Sequence, residues 1–224
     1  MKYLKTFLLG LLAGIAIALG GLVYPAVSSS GGDPTLAKIG GGFLFSLGLM
    51  TICGFGLFLF TGKIGYVTDN SPEYLLHLLL GYLGNFVGAL TIGYLCYAIP
   101  AIRDGAIGAV ARGIASSRDV LSGGEPWYSA LLLGFLCGFF VYIAVAIYKA
   151  KPGVIGLVGL MFAVASFTVM GAEHCIANMF YFSISNGWSG GTILNVLLVT
   201  VGNSGSAILF HVLLKFALPK KEGE

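Results

Sequence analysis

Charge is what this chain has least of. Asp, Glu, Lys and Arg make up 9% of its 224 residues, against 57% hydrophobic residues, where a soluble domain carries about a quarter charged residues. A water-facing surface cannot be built from so few charges, so nearly all of the chain must lie in or beside a lipid bilayer. The net charge of +3 is small, and the basic residues are scattered at the ends of apolar runs. Without a basic stripe, a nucleic-acid partner is excluded. There is no CxxC pair. Cys53, Cys96, Cys137 and Cys175 each lie in an apolar segment, which predicts buried thiols rather than disulfides or metal ligands. HExxH, a Gly-rich phosphate loop and paired carboxylates at membrane depth are also missing. An enzyme is not expected, nor is a cofactor or a metal site.

Long apolar runs are what the chain does have. A helical crossing of the hydrocarbon core needs about 20 apolar residues, and six runs qualify: about 6–27, 36–60, 75–99, 127–149, 153–185 and 192–217. The expected fold is an all-α integral membrane protein, a single channel-like domain over 1–224. The start, MKYLKTFLLGLLAGIAIALGG, also resembles a secretory signal peptide, but an internal repeat argues for a retained span. Lysines and arginines set orientation. With six spans, Lys2, Lys5, Lys63, Lys149, Lys151, Lys215, Lys220 and Lys221 fall on one side, and Lys38, Arg103, Arg112 and Arg118 on the other. Both termini are therefore expected in the cytoplasm, in a multi-pass protein of the cell's inner (plasma) membrane. The long loop over about 100–126 would face outward.

The repeat has two parts. FLLGLLAGIA (7–16) echoes LLLGFLCGFF (131–140), and YLGNFVGAL (82–90) echoes TVGNSGSAI (200–208). The first pair lies in spans one and four, the second in spans three and six. Three spans per half is an odd number, so the second half enters the membrane upside down. The expected architecture is a 3+3 inverted repeat, about 1–100 and 127–218, with the pathway at the interface near the midplane. Spans two and five carry the irregular sequences, CGFGLFLFTGKIG (53–65) and GAEHCIANMF (171–180). Glycines and polar residues there predict interrupted helices, which membranes tolerate only where protein or a cavity satisfies the freed backbone.

His174 is the leading candidate for the pathway. A histidine at membrane depth can stay neutral, hydrogen-bond and exchange a proton with a passing weak acid or base. Glu173 is its neighbour, and on a helix would point about 100° away. It is expected to accept bonds from free amides at the break, with Asn178 as a second structural residue there. His77 and His211 read as packing or interfacial residues.

GAEHCIANMF resembles the GxEHSIANMF signature of the formate/nitrite transporter family. FLFSLGLM (43–50), LFTGK (59–63) and YLGNFVGAL resemble the corresponding motifs of its second and third spans. The resemblance covers nearly the whole chain. It implies a homopentamer whose protomers each hold a pore in an aquaporin-like outline. It implies that Thr61, in the break of span two, faces His174. Phe45 and Leu49 are then expected as the cytoplasmic constriction, and Leu59 and Phe167 as the outer one.

The chain also departs from the family pattern. Anion-moving members place a lysine just before span four, in a loop that dips toward the histidine. That stretch here is LSGGEPWYSA (121–130), with Glu125 as its only charge and Ser122 at the ungapped lysine position. The asparagine that such relatives carry in span four matches Gly138. In the span-two motif the family's Asn matches Lys63, and its acidic residue matches Phe58. A carboxylate in place of the lysine reverses the local field. The expected substrate is therefore a small monovalent cationic weak base, ammonium or methylammonium, attracted by Glu125, with His174 relaying its proton. The alternatives are a formate, nitrite or hydrosulfide channel, with Arg103, Arg112 or Arg118 folded inward, and a pore for small neutral solutes.

Overall fold

The computed structural model describes residues 1–218, so the expectations for Lys220 and Lys221 lie outside the described residues. Ten α-helices follow one another: α1 (Lys2–Ser28), α2 (Pro34–Phe55), α3 (Phe60–Lys63), α4 (Glu73–Ala98), α5 (Pro100–Arg103), α6 (Ala106–Ser117), α7 (Trp127–Ala150), α8 (Val154–Val169), α9 (Cys175–Ile184) and α10 (Gly190–Ala217). A 3-10 stretch, Ile64–Asp69, continues α3. Helices α1, α2, α4, α7 and α10 are each long and apolar enough to cross a membrane. The predicted fifth span is two shorter helices, α8 and α9, separated by a break. The loop expected over 100–126 is largely helical, as α5 and α6.

The two echoed motifs meet in space. Helix α1 packs on α4, and α7 packs on α10. Asn85, from YLGNFVGAL, donates to Gly10 O at 2.8 Å and to Phe58 O at 2.9 Å, and accepts from Phe60 N at 2.8 Å. Asn203, from TVGNSGSAI, donates to Gly134 O at 2.7 Å and to Glu173 O at 2.9 Å, and accepts from Cys175 N at 3.0 Å. Each asparagine thus ties an outer helix to a break and caps the first amide of the helix that follows. Phe58 N also donates to Leu9 O, as Glu173 N donates to Leu133 O. The freed backbone at each interruption is satisfied by its own half, as a buried break requires.

The breaks themselves match. Gly56 ends α2 with φ +64 and Gly171 follows α8 with φ +72, a left-handed conformation that only glycine takes without steric cost. In both, the next two amides fold back on the helix: Gly56 N to Cys53 O and Leu57 N to Ile52 O, Gly171 N to Thr168 O and Ala172 N to Phe167 O. Leu59 and His174 then occupy the same extended position before α3 and α9. The segment 60–69 packs on α10, and α9 packs on α4, so each half lays its broken span against the other half.

Close packing also decides one departure. A Cβ on Gly138 would collide with Asn203 O and Ser206 Oγ, as one on Gly14 would collide with Asn85 O. An asparagine therefore has no room at position 138 in this packing. Cys96, Cys137 and Cys175 are buried, Cys53 is partly buried, and all four are free thiols. His77 bonds Thr6 at 2.8 Å, and His211 bonds Tyr142 and Asp69, each at 2.8 Å.

Candidate functional site: a constricted path between two charged mouths

Three spaces lie in series through the bundle. A cavity of about 90 Å³ is bordered by Arg118 and Asn178, among others, and by Phe45, Phe167 and His174. Those last three also border a neck of about 10 Å³, together with Ile17, Leu49, Leu59, Val141 and Val164. Leu59 in turn borders a second cavity of about 110 Å³ that contains Lys63 and Lys149. One water needs about 10–15 Å³, so the neck admits little more than a single water. Among the described residues, His174 is the one polar side chain on it.

The constrictions group differently from the sequence expectation. Phe45 and Phe167 meet edge to face at 6.0 Å and close the Arg118 side. Leu59 faces the lysine side, with Leu49 one turn before Ile52 and Cys53, which border that second cavity. The expected pairs, Phe45 with Leu49 and Leu59 with Phe167, are thus exchanged. The reason is the matched breaks: they set Leu59 across from His174, and the helices run in opposite senses.

The ring of His174 is held from both edges. Its Nδ1 accepts from Ala177 N at 3.2 Å, capping α9, and its Nε2 lies 2.7 Å from Thr61 Oγ1. With Nδ1 occupied as an acceptor, the ring proton sits on Nε2 and donates to Thr61. Thr61 is buried but does not border the neck, so it orients the ring rather than lining the path. A proton relay through His174, as expected for a passing weak base, would have to break the Ala177 bond.

Glu173 and Asn178 hold the break, but not as expected. Among the described residues no backbone amide bonds the Glu173 carboxylate; Asn203 and His174 cap α9 instead. Glu173 Oε2 accepts from Asn178 Nδ2 at 2.6 Å and Asn195 Nδ2 at 2.9 Å, and Arg118 Nε lies at 3.7 Å. Asn178 Oδ1 accepts from Arg118 Nη1 at 2.7 Å, and Arg118 lies over the Tyr181 ring at 5.4 Å.

Glu125 is where the sequence reading fails. It borders neither the neck nor the adjoining cavity. Oε2 accepts from Ser129 Oγ at 2.8 Å and Oε1 from Asn195 Nδ2 at 3.2 Å, behind the wall. The loop turns it there. Asp119 accepts from Leu121 N, Ser122 N and Ser189 Oγ, which fastens the loop to the start of α10. Glu125 N then bonds Ser117 O, and Pro126 starts α7. The same turn leaves Arg118 facing inward. Arg103 is paired with Asp104, and Arg112 donates to Arg103 O; neither borders the cavity that leads to His174. The charge at this mouth is therefore a guanidinium, not a carboxylate.

Burial, and then the Glu173 carboxylate, raise the pKa of Glu125 from 4.5 to about 8, while Ser129 and Arg118 oppose the shift. A raised carboxylate pKa means that the folded protein holds the proton more tightly than the unfolded chain. Stability is full below the ordinary value and falls as pH rises from 4.5 through about 8. Glu125→Gln, an amide that mimics the protonated acid, should flatten that decline. Thermal midpoints of the solubilised protein over a pH series check it; an unchanged slope would show that Glu125 is not the titrating group.

Two mouths of positive charge, an apolar neck and a single imidazole define a membrane channel or transporter for something small. A family model described as formate/nitrite transporter matches residues 1–217. The chain belongs to the formate/nitrite transporter family, whose members are channels and transporters rather than enzymes. It is 30% identical over 188 residues to the formate channel FocA of Haemophilus influenzae, covering 78% of this chain and 64% of that one. It is 27% identical to a probable formate transporter of Methanothermobacter thermautotrophicus, covering 92% and 85%. A solved pentameric formate channel with formate bound has the same fold, with a TM-score of 0.83, 24% identity and 96% of each chain covered.

Proposed function

We propose that this protein is a membrane channel for small monovalent weak acids of the formate and nitrite kind. The observation that carries this reading is Arg118, rather than Glu125, at the cavity leading to His174. The side chain of Arg118 is 18% exposed. Nη1 is engaged with Asn178, and Nη2 has no bond among the described residues, so it is free to meet an anion. The neck beyond is apolar, where a bare charge is expensive and a neutral species crosses readily. The anion takes a proton from water in the vestibule, crosses as the neutral acid past the His174 ring, and releases the proton on the far side. Anion and proton then move together. Among the described residues, no carboxylate borders this route to attract ammonium.

The same proposal includes the setting. Apolar side chains exposed along the long helices, Leu83, Leu197 and Ile193 among them, suit lipid or further copies of the chain, and a homopentamer is the assembly named for the solved relative. Lys2 bonds Glu73, Lys149 lies over Tyr66 and Lys215 bonds Asp69, which gathers these lysines at one end. That end is assigned to the cytoplasm of the cell's inner membrane by the excess of lysine.

Purified protein in liposomes should take up labelled formate and nitrite, faster at lower outside pH, and acidify the lumen as it does so. Methylammonium uptake without formate uptake would overturn the reading.

A further inference from the structure

We infer that the mouth opposite Arg118 is a second anion-binding station, built by Lys63 and Lys149, so that small anions are captured electrostatically from both sides. The inference rests on the weak-acid reading above and adds a site to it. Lys63 ends α3, one turn past the break, and Lys149 lies in the last turn of α7. Different halves of the chain thus bring two ammonium groups to one cavity of about 110 Å³. Neither is in an ion pair or donates a side-chain hydrogen bond among the described residues. Among the described residues no carboxylate borders the cavity, and its other polar side chains are Tyr148 and Cys53.

The nearby acids are already engaged. Asp69 accepts from His211 at 2.8 Å and Lys215 at 2.7 Å. Glu73 accepts from Lys2 at 3.0 Å and Tyr3 at 2.9 Å. Aromatic faces hold the two lysines in place: Lys149 Nζ lies 3.9 Å from the Tyr66 ring centroid and Lys63 Nζ 5.9 Å from that of Phe58. Two like charges brought together without a counter-ion repel each other, and a small anion between them relieves that repulsion. The leucine side of the neck, Leu59, forms the floor of the same cavity. An anion held there waits directly at the constriction.

Cys53 borders this cavity and is the one cysteine of the four that is not buried, so it serves as a local reporter. The test compares its modification rates with a small anionic and a small neutral methanethiosulfonate reagent, on the full-length protein in liposomes at low salt. Taking the ratio of the two rates cancels any change in the reactivity of the thiol itself. The ratio should fall several-fold in the Lys63→Gln/Lys149→Gln double variant, and wild-type protein in high salt should behave alike, because salt screens the field. The half-saturating formate concentration for entry at this mouth should rise in the double variant, and entry at the Arg118 mouth should keep its wild-type value. An unchanged rate ratio overturns the station even if formate is transported. A thiol that neither reagent reaches, with unchanged half-saturation, overturns it too. Absence of formate flux in the wild type, with the rate ratio behaving as expected, would instead overturn the weak-acid reading and leave the anion site standing.

Discussion

Arg118→Glu should lower formate uptake by about tenfold or more at low ionic strength. A unit charge 4 Å away is worth about 4 kcal/mol at an effective dielectric near 20, and mobile ions screen part of that. The substitution changes the sign of the one charged side chain, among the described residues, that borders the cavity leading to His174, and leaves Glu173 without its guanidinium partner at 3.7 Å. Arg118→Lys keeps the charge and loses the Nη1 bond to Asn178, so it should retain most of the uptake. Uptake over a salt series separates the two roles: the wild type should slow as salt rises, and the Glu variant should not. Thermal midpoints of both variants report on folding independently. Wild-type uptake in a well-folded Arg118→Glu protein would show that the guanidinium does not gather the anion.

Asn203→Leu and Asn85→Leu should be the most destabilising single changes in the chain, and similar to each other. Each removes three buried hydrogen bonds and leaves a helix-capping amide and the carbonyl at the break, Phe58 O or Glu173 O, without partners. A buried unsatisfied group costs about 1–3 kcal/mol, and no water is at hand in a bilayer to replace the lost bonds. The loss should exceed that of Asn178→Leu, whose partners Glu173 and Asn195 still bond each other. The yield of folded protein and the thermal midpoint in detergent measure it. If either variant stays as stable as wild type, the breaks are held by packing rather than by the asparagines.

Much of this was legible beforehand. The six apolar runs found their helices within a few residues, because a hydrocarbon core demands both length and apolarity. The breaks at CGFGLFLFTGKIG and GAEHCIANMF were readable because Gly56 and Gly171 stand where the helices must turn back. The meeting of Thr61 with His174 followed from the family motifs. The asparagines in the two echoed motifs were visible as letters, but their work as caps was not. A cap is defined by which distant amide it reaches.

Glu125 and Arg118 mark the limit. Position along the chain favoured Glu125, because it lies in the stretch where anion-moving relatives carry a lysine. Which of two residues faces the path depends on one loop, and that loop is turned by Asp119, which reaches Ser189 across the bundle. No local pattern contains that bond. The exchange of the constriction pairs has the same origin: Leu59 and His174 are far apart in sequence, and only the facing of the two breaks makes them opposite walls of one neck.

The sequence by itself determined the membrane setting, the spans, the internal repeat, the interrupted helices and the histidine at depth. Each of these follows from local composition and period, which a bilayer reads residue by residue. Only the tertiary structure decided the sign of charge at the mouth beside Asn178, the residues that share each side of the neck, and the gathering of Lys63 and Lys149 at the other mouth. Those depend on side-chain direction across helices from both halves, and direction is set by long-range contacts that a linear pattern does not carry.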